Sequence, residues 1–289
     1  MDKINYIVVF YLGTRRVNTV SSSTYFIRKH LNFLQDNKID LARVTVVLNS
    51  DIHDETVEFL EVIRSFKPYY TDLRVVIREN KGLSYAGWNE VINSCIENDE
   101  EFTHYFLMED DYYPGCVEFI DMCKSKMVGD VGYVCGAQTS KSLASLFKVE
   151  RTAGMSIGML KGEAAEAAYN KYGSSLVTLD NESKDGYGIR SLQIQAMFLD
   201  FVLNSGYSLI GMEDISSSIF LHNRTGHLFS TIKQQQESGE RSWFLAEYGD
   251  PDKPRVFEPI VEWSLYKPTG IKYITMPTNV VIARHEGEA

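Results

Sequence analysis

The chain has 289 residues, enough for one or two domains and a sizeable core. Hydrophobic residues make up 44% and charged residues 24%, the balance of a soluble globular protein rather than a disordered one. The net charge of −10 argues against a nucleic-acid backbone as the main partner, because such proteins carry a basic face.

No run of about 18 apolar residues exists, so no transmembrane segment is expected. The first residues, Met1 to Asn5, lack the apolar core of a signal peptide. Cys95, Cys116, Cys123 and Cys135 form no CxxC pair, which argues against a zinc ribbon. Reduced and mostly buried thiols are expected, and with them a cytoplasmic protein, soluble or peripherally attached.

Taken in chain order, the first half alternates strand and helix signals. Tyr6–Tyr11 is a short apolar run rich in β-branched and aromatic residues, and so a strand. Ser21–Asp36 has helical spacing through Tyr25, Phe26, His30, Leu31, Phe33 and Leu34. Val44–Leu48 predicts a second strand, Asp54–Phe66 a second helix and Leu73–Ile77 a third strand. Leu83–Asn98 predicts a third helix, and Tyr105–Met108 a fourth strand that runs into Glu109-Asp110-Asp111. Such alternation predicts βαβ units and a parallel sheet. Ligands of parallel sheets bind beyond the carboxyl ends of the strands. Polar clusters follow all four strands: residues 13–16, 49–51, 79–82 and 109–111.

The second half is less regular. Strands are expected at Tyr133–Ala137, Tyr207–Gly211 and Ser218–Leu221, with helices at Glu163–Lys171 and Leu192–Asn204. Asp180–Gly188 is polar and reads as a loop, and Gly249–Pro254 is a turn-rich break. The division expected is a catalytic domain over residues 1–230, with residues 1–115 the nucleotide-binding half and 116–230 the acceptor half. Residues 231–289 would form a C-terminal extension packed on the same domain.

Two motifs carry chemistry. Glu109-Asp110-Asp111 places three acids at the end of an apolar strand. Adjacent carboxylates repel, and a hard divalent cation relieves the repulsion through oxygen ligands. In an extended segment Glu109 and Asp111 share one face, so both can approach one ion. The second motif is the run from Asn80 to Asn89, in which Gly82 opens a helix after Asn80 and Lys81. A helix N-terminus offers amide donors and a positive dipole end to an anion, and Lys81 adds a charge suited to a diphosphate. An ordinary loop-to-helix junction capped by Ser84 is the plainer alternative. Neither a P-loop nor a dinucleotide fingerprint is present in the first half.

In order and spacing, IVVFYLGTRR, ENKGLSYAGWN and YFLMEDDYYP together resemble motifs of the nucleotide-diphospho-sugar glycosyltransferases of the glycosyltransferase-A fold. The likeness is greatest to the large inverting family of polysaccharide glycosyltransferases, and it covers about residues 4–115. It implies an α/β fold, a Rossmann-like, mostly parallel central sheet flanked by helices, with a C-terminal appendage. It implies a metal-dependent transfer of a sugar from a nucleotide-diphosphate donor to a hydroxyl of a glycan-type acceptor, with inversion. By this resemblance Tyr11 and Arg15 line the base, and Asn49 and Asp51 contact base or ribose. Asn80, Lys81, Gly82 and Asn89 lie along the donor, and Asp110 reaches the ribose or sugar. Glu109 and Asp111, completed by His222, hold Mn²⁺ or Mg²⁺. Residues 153–159 resemble the small-residue strand that shapes the donor-sugar and acceptor side.

The pattern departs from that family at one place. Gln193 and Gln195 occupy the region where the relatives carry a general base. Asp185 and Asp214 are the leading replacements, with Asp200 and Glu213 also open. A sugar nucleotidyltransferase and an inactive sugar- or nucleotide-binding module are the competing readings. Trp243, Tyr248, Trp263 and Tyr266 leave three roles open for the C-terminal segment: core packing, acceptor binding and homodimer formation.

Overall fold

The structure is a computed structural model. It describes residues 2–11, 20–49, 56–66, 69–70, 72–79, 81–110, 112–114, 116–139, 152–176, 194, 201–202, 204–211, 220–222, 271–275 and 281–285. Its first half contains β1 (Ile4–Tyr11), α1 (Val20–Asp36), β2 (Arg43–Asn49), α2 (Thr56–Phe66), β3 (Leu73–Arg78), α3 (Leu83–Glu97) and β4 (His104–Glu109). The second half contains β5 (Tyr112–Pro114), α4 (Phe119–Lys126), β6 (Val131–Thr139), β7 (Thr152–Lys161), α5 (Gly162–Tyr172), β8 (Ser208–Gly211) and β9 (Phe220–His222). Beyond these lie β10 (Ile271–Thr275) and β11 (Val281–His285).

Nine strands form one sheet in the order β10-β11-β3-β2-β1-β4-β7-β6-β8. The run β11-β3-β2-β1-β4 is parallel, β7 is antiparallel to both neighbours, and β8 is parallel to β6. This is the mostly parallel, Rossmann-like α/β sheet expected from the sequence. Towards the end of the chain, β11 continues the sheet past β3 and β10 pairs with it as an antiparallel edge.

The central strands are apolar on both faces because helices cover both. Along β1, Tyr6, Val8 and Phe10 enter one core with Ile27, Leu31 and Leu34 of α1, Phe59 and Ile63 of α2, and Phe119 of α4. Ile7 and Val9 enter the other core with Tyr85, Trp88 and Ile92 of α3, and Ala164, Ala165 and Ala168 of α5. The change of face follows from handedness. The chain steps from β1 to β2 to β3 with α1 and α2 on one face. To reach the far side of β1 by a right-handed crossover, the next helix must use the opposite face. The direction of winding therefore reverses between β1 and β4.

α3 is buried from Leu83 to Cys95, on all sides rather than along one stripe. Gly87 lets it approach the sheet closely, since a Cβ there would lie 3.1 Å from Val47 and 3.3 Å from Val9. On its outer side, Asn89 and Asn93 grip the segment after α5. The Asn89 Oδ1 accepts from the Ser174 and Ser175 hydroxyls and from the Leu176 amide, at 2.9–3.0 Å. The Asn93 Oδ1 accepts from the Ser175 amide and hydroxyl.

Gly162 starts α5 in a place that admits no side chain. Its amide donates to the Thr103 carbonyl at 2.8 Å, and a Cβ would fall 2.0 Å from the Phe102 carbonyl oxygen. Since that neighbour is backbone, Gly162→Ala is expected to cost about 1–3 kcal/mol in chemical denaturation. An unchanged midpoint would show that the β7–α5 corner shifts without penalty.

Four charges tie the amino ends of the strands together. Arg43 contacts Asp72 at 2.7 Å and Glu100 at 2.5 Å, and Arg74 contacts the same two acids at 3.2 and 2.9 Å. The Arg43 guanidinium also lies over the Phe102 ring, 4.7 Å from its centroid. Burial alone would raise the Glu100 carboxyl, but the Arg43 hydrogen bond and the charges of Arg43 and Arg74 outweigh it and lower its pKa. A carboxyl lowered by folding stabilises the fold above its unfolded pKa. That contribution disappears as pH falls through the folded value. Stability is therefore expected to fall below about pH 4.5, the ordinary glutamate value, and Glu100→Gln should flatten that acid limb. Equal acid limbs in the two proteins would remove Glu100 as the cause.

Cys95, Cys123 and Cys135 are buried thiols, and Cys116 is half-buried. Burial pushes the Cys95 thiol up to about 12, which keeps it protonated and unreactive at neutral pH.

Candidate active site

The carboxyl ends of β1, β2 and β3 form a row. Tyr11 registers with Asn49, and Asn49 with Arg78. On the other side of β1, Val9 registers with Glu109. The reversal of winding thus falls between β1 and β4, and in open α/β sheets the ligand crevice lies at that position. Asp110 joins the ends of these two strands. Its amide donates to the Val9 carbonyl at 3.1 Å, and its Oδ2 accepts from the Tyr11 amide at 3.2 Å. The residue is buried. Part of its acceptor capacity is therefore spent on holding the ends of β1 and β4 together.

Glu109 is half-buried at the last position of β4. The Ser84 hydroxyl in the first turn of α3 donates to its Oε1. Gly82, rather than Ser84, is the N-cap residue of α3, and it makes no side-chain cap bond. Ser84 thus joins α3 to the acidic strand end, which the capping alternative did not anticipate.

The backbone before α3 has an unusual shape. Gly82 is left-handed at φ 70°, and Leu83 follows at φ 61°. Glycine adopts this conformation freely, whereas a leucine there costs roughly 1–2 kcal/mol. Leu83 is held in place by its buried side chain and by the Asn49 Nδ2, which donates to its carbonyl at 3.0 Å. The other end of the Asn49 amide accepts from Arg78 Nη1 at 2.8 Å. Arg78 also donates from Nη2 to the Lys81 carbonyl at 2.7 Å and from Nε to Glu90 Oε2 at 2.9 Å. Nη2 lies 2.7 Å from Glu90 Oε1 as an ion-pair contact without hydrogen-bond alignment. Both side chains of this ion pair are only 2% exposed. Lys81 itself is half-exposed and pairs with Glu79 at 2.9 Å, a contact of small energetic weight.

His222 comes to this region through the backbone. β9 pairs antiparallel with β5, and His222 registers with Tyr112, which directly follows the acidic run. Of the other sequence candidates, Arg15, Asp51, Asn80, Asp111, Asp185 and Asp214 lie outside the described residues, as do Asp200 and Glu213. Asn89 is fully buried against residues 174–176. Among the described residues no group of three His, Cys, Asp or Glu is placed to hold a metal. The hard carboxylate oxygen of Glu109 suits Mg²⁺ or Mn²⁺, and a second acid follows two positions on in sequence. Sequence reasoning missed Arg78, Glu90 and Ser84. The available signal was an arginine closing an apolar strand 12 residues before a glutamate in the middle of a helix whose one other charge, Glu97, stands at its end.

Comparison with protein-family models and with curated proteins gives no match. Among solved structures, one similar chain is the mannosyltransferase PcManGT from Pyrobaculum calidifontis in complex with GDP-Man and Mn²⁺. Its TM-score is 0.43 at 12% identity, over 72% of this chain and 54% of that one. This chain thus spans about half the length of that mannosyltransferase. Another is a chain assigned as a glucose-1-phosphate thymidylyltransferase from Bacillus anthracis, in complex with a sucrose. It gives a TM-score of 0.44 at 11% identity, over 82% of this chain and 96% of that one. A third is the mannosyltransferase Ktr4p from S. cerevisiae in complex with GDP, at TM-score 0.34 and 10% identity, over 59% and 60% of the two chains. At these TM-scores no residue role is transferred from any of them. No helix among the described residues is long and apolar enough to cross a membrane.

Proposed function

We propose that the crevice between β1 and β4 binds a nucleotide-diphosphate sugar and that the chain is a glycosyltransferase acting on a hydroxyl acceptor, with inversion. One observation carries the reading. Glu109 sits where the winding of the sheet reverses, tied through Ser84 to the N-terminal turn of α3. A carboxylate and a helix N-terminus then flank one space, which suits a diphosphate neutralised by a cation. Glu109 and Asp111 would hold Mn²⁺ or Mg²⁺, with His222 near the same turn. When bound, such a cation supplies charge neutralisation to the departing nucleoside diphosphate.

The remaining chemistry belongs to the chain and the acceptor. The acceptor oxygen attacks the anomeric carbon as the bond to the diphosphate breaks. A carboxylate, Asp185 or Asp214, takes the hydroxyl proton. Tyr11, Arg15, Asn49 and Asp51 would border the nucleoside, and Asn80, Lys81 and Gly82 the rest of the donor, whereas Asn89 is taken up by the segment after α5. Residues 116–230 would supply the acceptor side, with residues 231–289 packed against the same domain. The buried thiols suit a reducing compartment, and so the cytoplasm.

The test is a calorimetric titration of UDP, GDP and dTDP, each with Mn²⁺ and again with EDTA, repeated on Asp111→Ala. Binding of one nucleotide that requires both the metal and Asp111 is the expected result. No binding of any nucleotide under either condition overturns the transferase reading.

A further inference from the structure

The buried Arg78–Glu90 pair has no role in the chemistry proposed above, yet it is the most thoroughly desolvated charge pair among the described ion pairs. Replacing such pairs with apolar residues is often neutral or stabilising, so stability alone explains poorly why this one lies beside the crevice. Its contacts indicate a local task. One guanidinium reaches the Lys81 carbonyl directly and the Leu83 carbonyl through the Asn49 amide. These two carbonyls flank Gly82, and the two left-handed residues lie between and at them. Glu90, two turns into α3, anchors the guanidinium to the same helix whose first turn it shapes.

We infer that Arg78 is a positioning residue. Anchored by Glu90, it draws the Lys81 and Leu83 carbonyls inward, sets the left-handed bend at Gly82–Leu83, and so aims Ser84 and the first amides of α3 at the Glu109 side of the crevice. The inference rests on the transferase reading for its consequence in binding. The bend itself is independent of that reading. Arginine is required because its planar fork serves three acceptors at once. A lysine at this position keeps the charge but serves them one at a time.

The experiment compares the intact chain with Arg78→Lys and with the double variant R78M/E90M. Three quantities are measured: the thermal midpoint, the affinity for the nucleoside diphosphate that the intact chain binds with Mn²⁺, and amide hydrogen exchange across residues 79–86. The double variant removes the charges together and keeps an apolar filling, so it serves if Arg78→Lys fails to fold. The expected result is a thermal midpoint within a few degrees of the parent. Affinity should fall about 10- to 100-fold, the size of one lost hydrogen bond to a charged group. Exchange at residues 82–84 should be faster. Unchanged affinity and unchanged exchange in a folded variant would overturn the inference, as would a lowered midpoint with parental affinity. If the intact chain binds no nucleoside diphosphate, the transferase reading fails, and exchange at residues 82–84 still decides whether Arg78 sets the bend.

Discussion

Glu109→Ala is expected to lower the rate of sugar transfer about 10²–10³-fold, measured as nucleoside diphosphate released under saturating donor and Mn²⁺. The magnitude is that of removing one preorganised group that stabilises charge developing on a leaving group. Geometry supports a large effect. Glu109 is the last residue of a central strand and registers with Val9 of β1, so its backbone is fixed by that ladder rather than by a loop. Its side chain is further restrained by Ser84. Alanine removes both the oxygen donor and the link to α3, while the buried strand beneath remains. The fold should persist, and the thermal midpoint should move little. Ser84→Ala separates the two contributions, since it keeps the carboxylate and loses only its restraint; a decrease of a few-fold is expected. Parental rates in Glu109→Ala would place the catalytic centre elsewhere.

The second large effect concerns stability. Arg78→Met should destabilise the chain by about 3–5 kcal/mol in urea at pH 7, because it strands the Glu90 carboxylate in a dry site and leaves the Lys81 carbonyl and the Asn49 amide oxygen short of a donor. Against a typical total of about 5–15 kcal/mol, that leaves a marginal protein. Adding Glu90→Met should restore most of the loss, since no buried charge then lacks a counterpart. The two substitutions are thus expected to be strongly non-additive. Simple additivity would show that water reaches the pair and that its burial is less complete than the geometry indicates. Arg43 is expected to behave differently. Its partners Asp72 and Glu100 are about one-third exposed, so solvent compensates more of any loss there.

The central sheet was legible in the sequence because strands buried on both faces must be nearly continuous apolar runs. β1, β2, β3 and β4 each fall within one or two residues of the runs that mark them. The acidic strand end was legible for the same reason, as a sharp change from apolar to charged. α4 was not anticipated: in Phe119–Lys126 only Phe119, Ile120 and Cys123 are buried, too short a stripe to show a helical period. β5 and β9 are three residues each, shorter than any alternation can reveal, and β9 ends at His222 rather than Leu221. The antiparallel pair of β10 and β11 lies beyond the turn-rich break, where nothing in the pattern set its partner. The Arg78–Glu90 pair escaped for a different reason. A charge at a strand end and another on a helix both look like solvated residues until the two elements are placed side by side. Ser84 escaped because a serine in a first helical turn reads as a cap.

The β5–β9 pairing bears on how the protein is made. Tyr112 and His222 are neighbours in space but more than a hundred residues apart along the chain. During synthesis, β1 to β4 can assemble from contacts among the first residues to leave the ribosome. The turn after Glu109 gains its β9 partner only after everything up to residue 222 has emerged. Closing so long a loop is slow compared with forming a helix or a hairpin. A nascent chain would thus hold a cluster of acids at a half-built crevice for several seconds, at common elongation rates of about 5–20 residues per second. Like charges that repel one another also discourage premature contacts with other chains, so the residues proposed to hold a cation would also keep the unfinished site soluble until its last strand arrives.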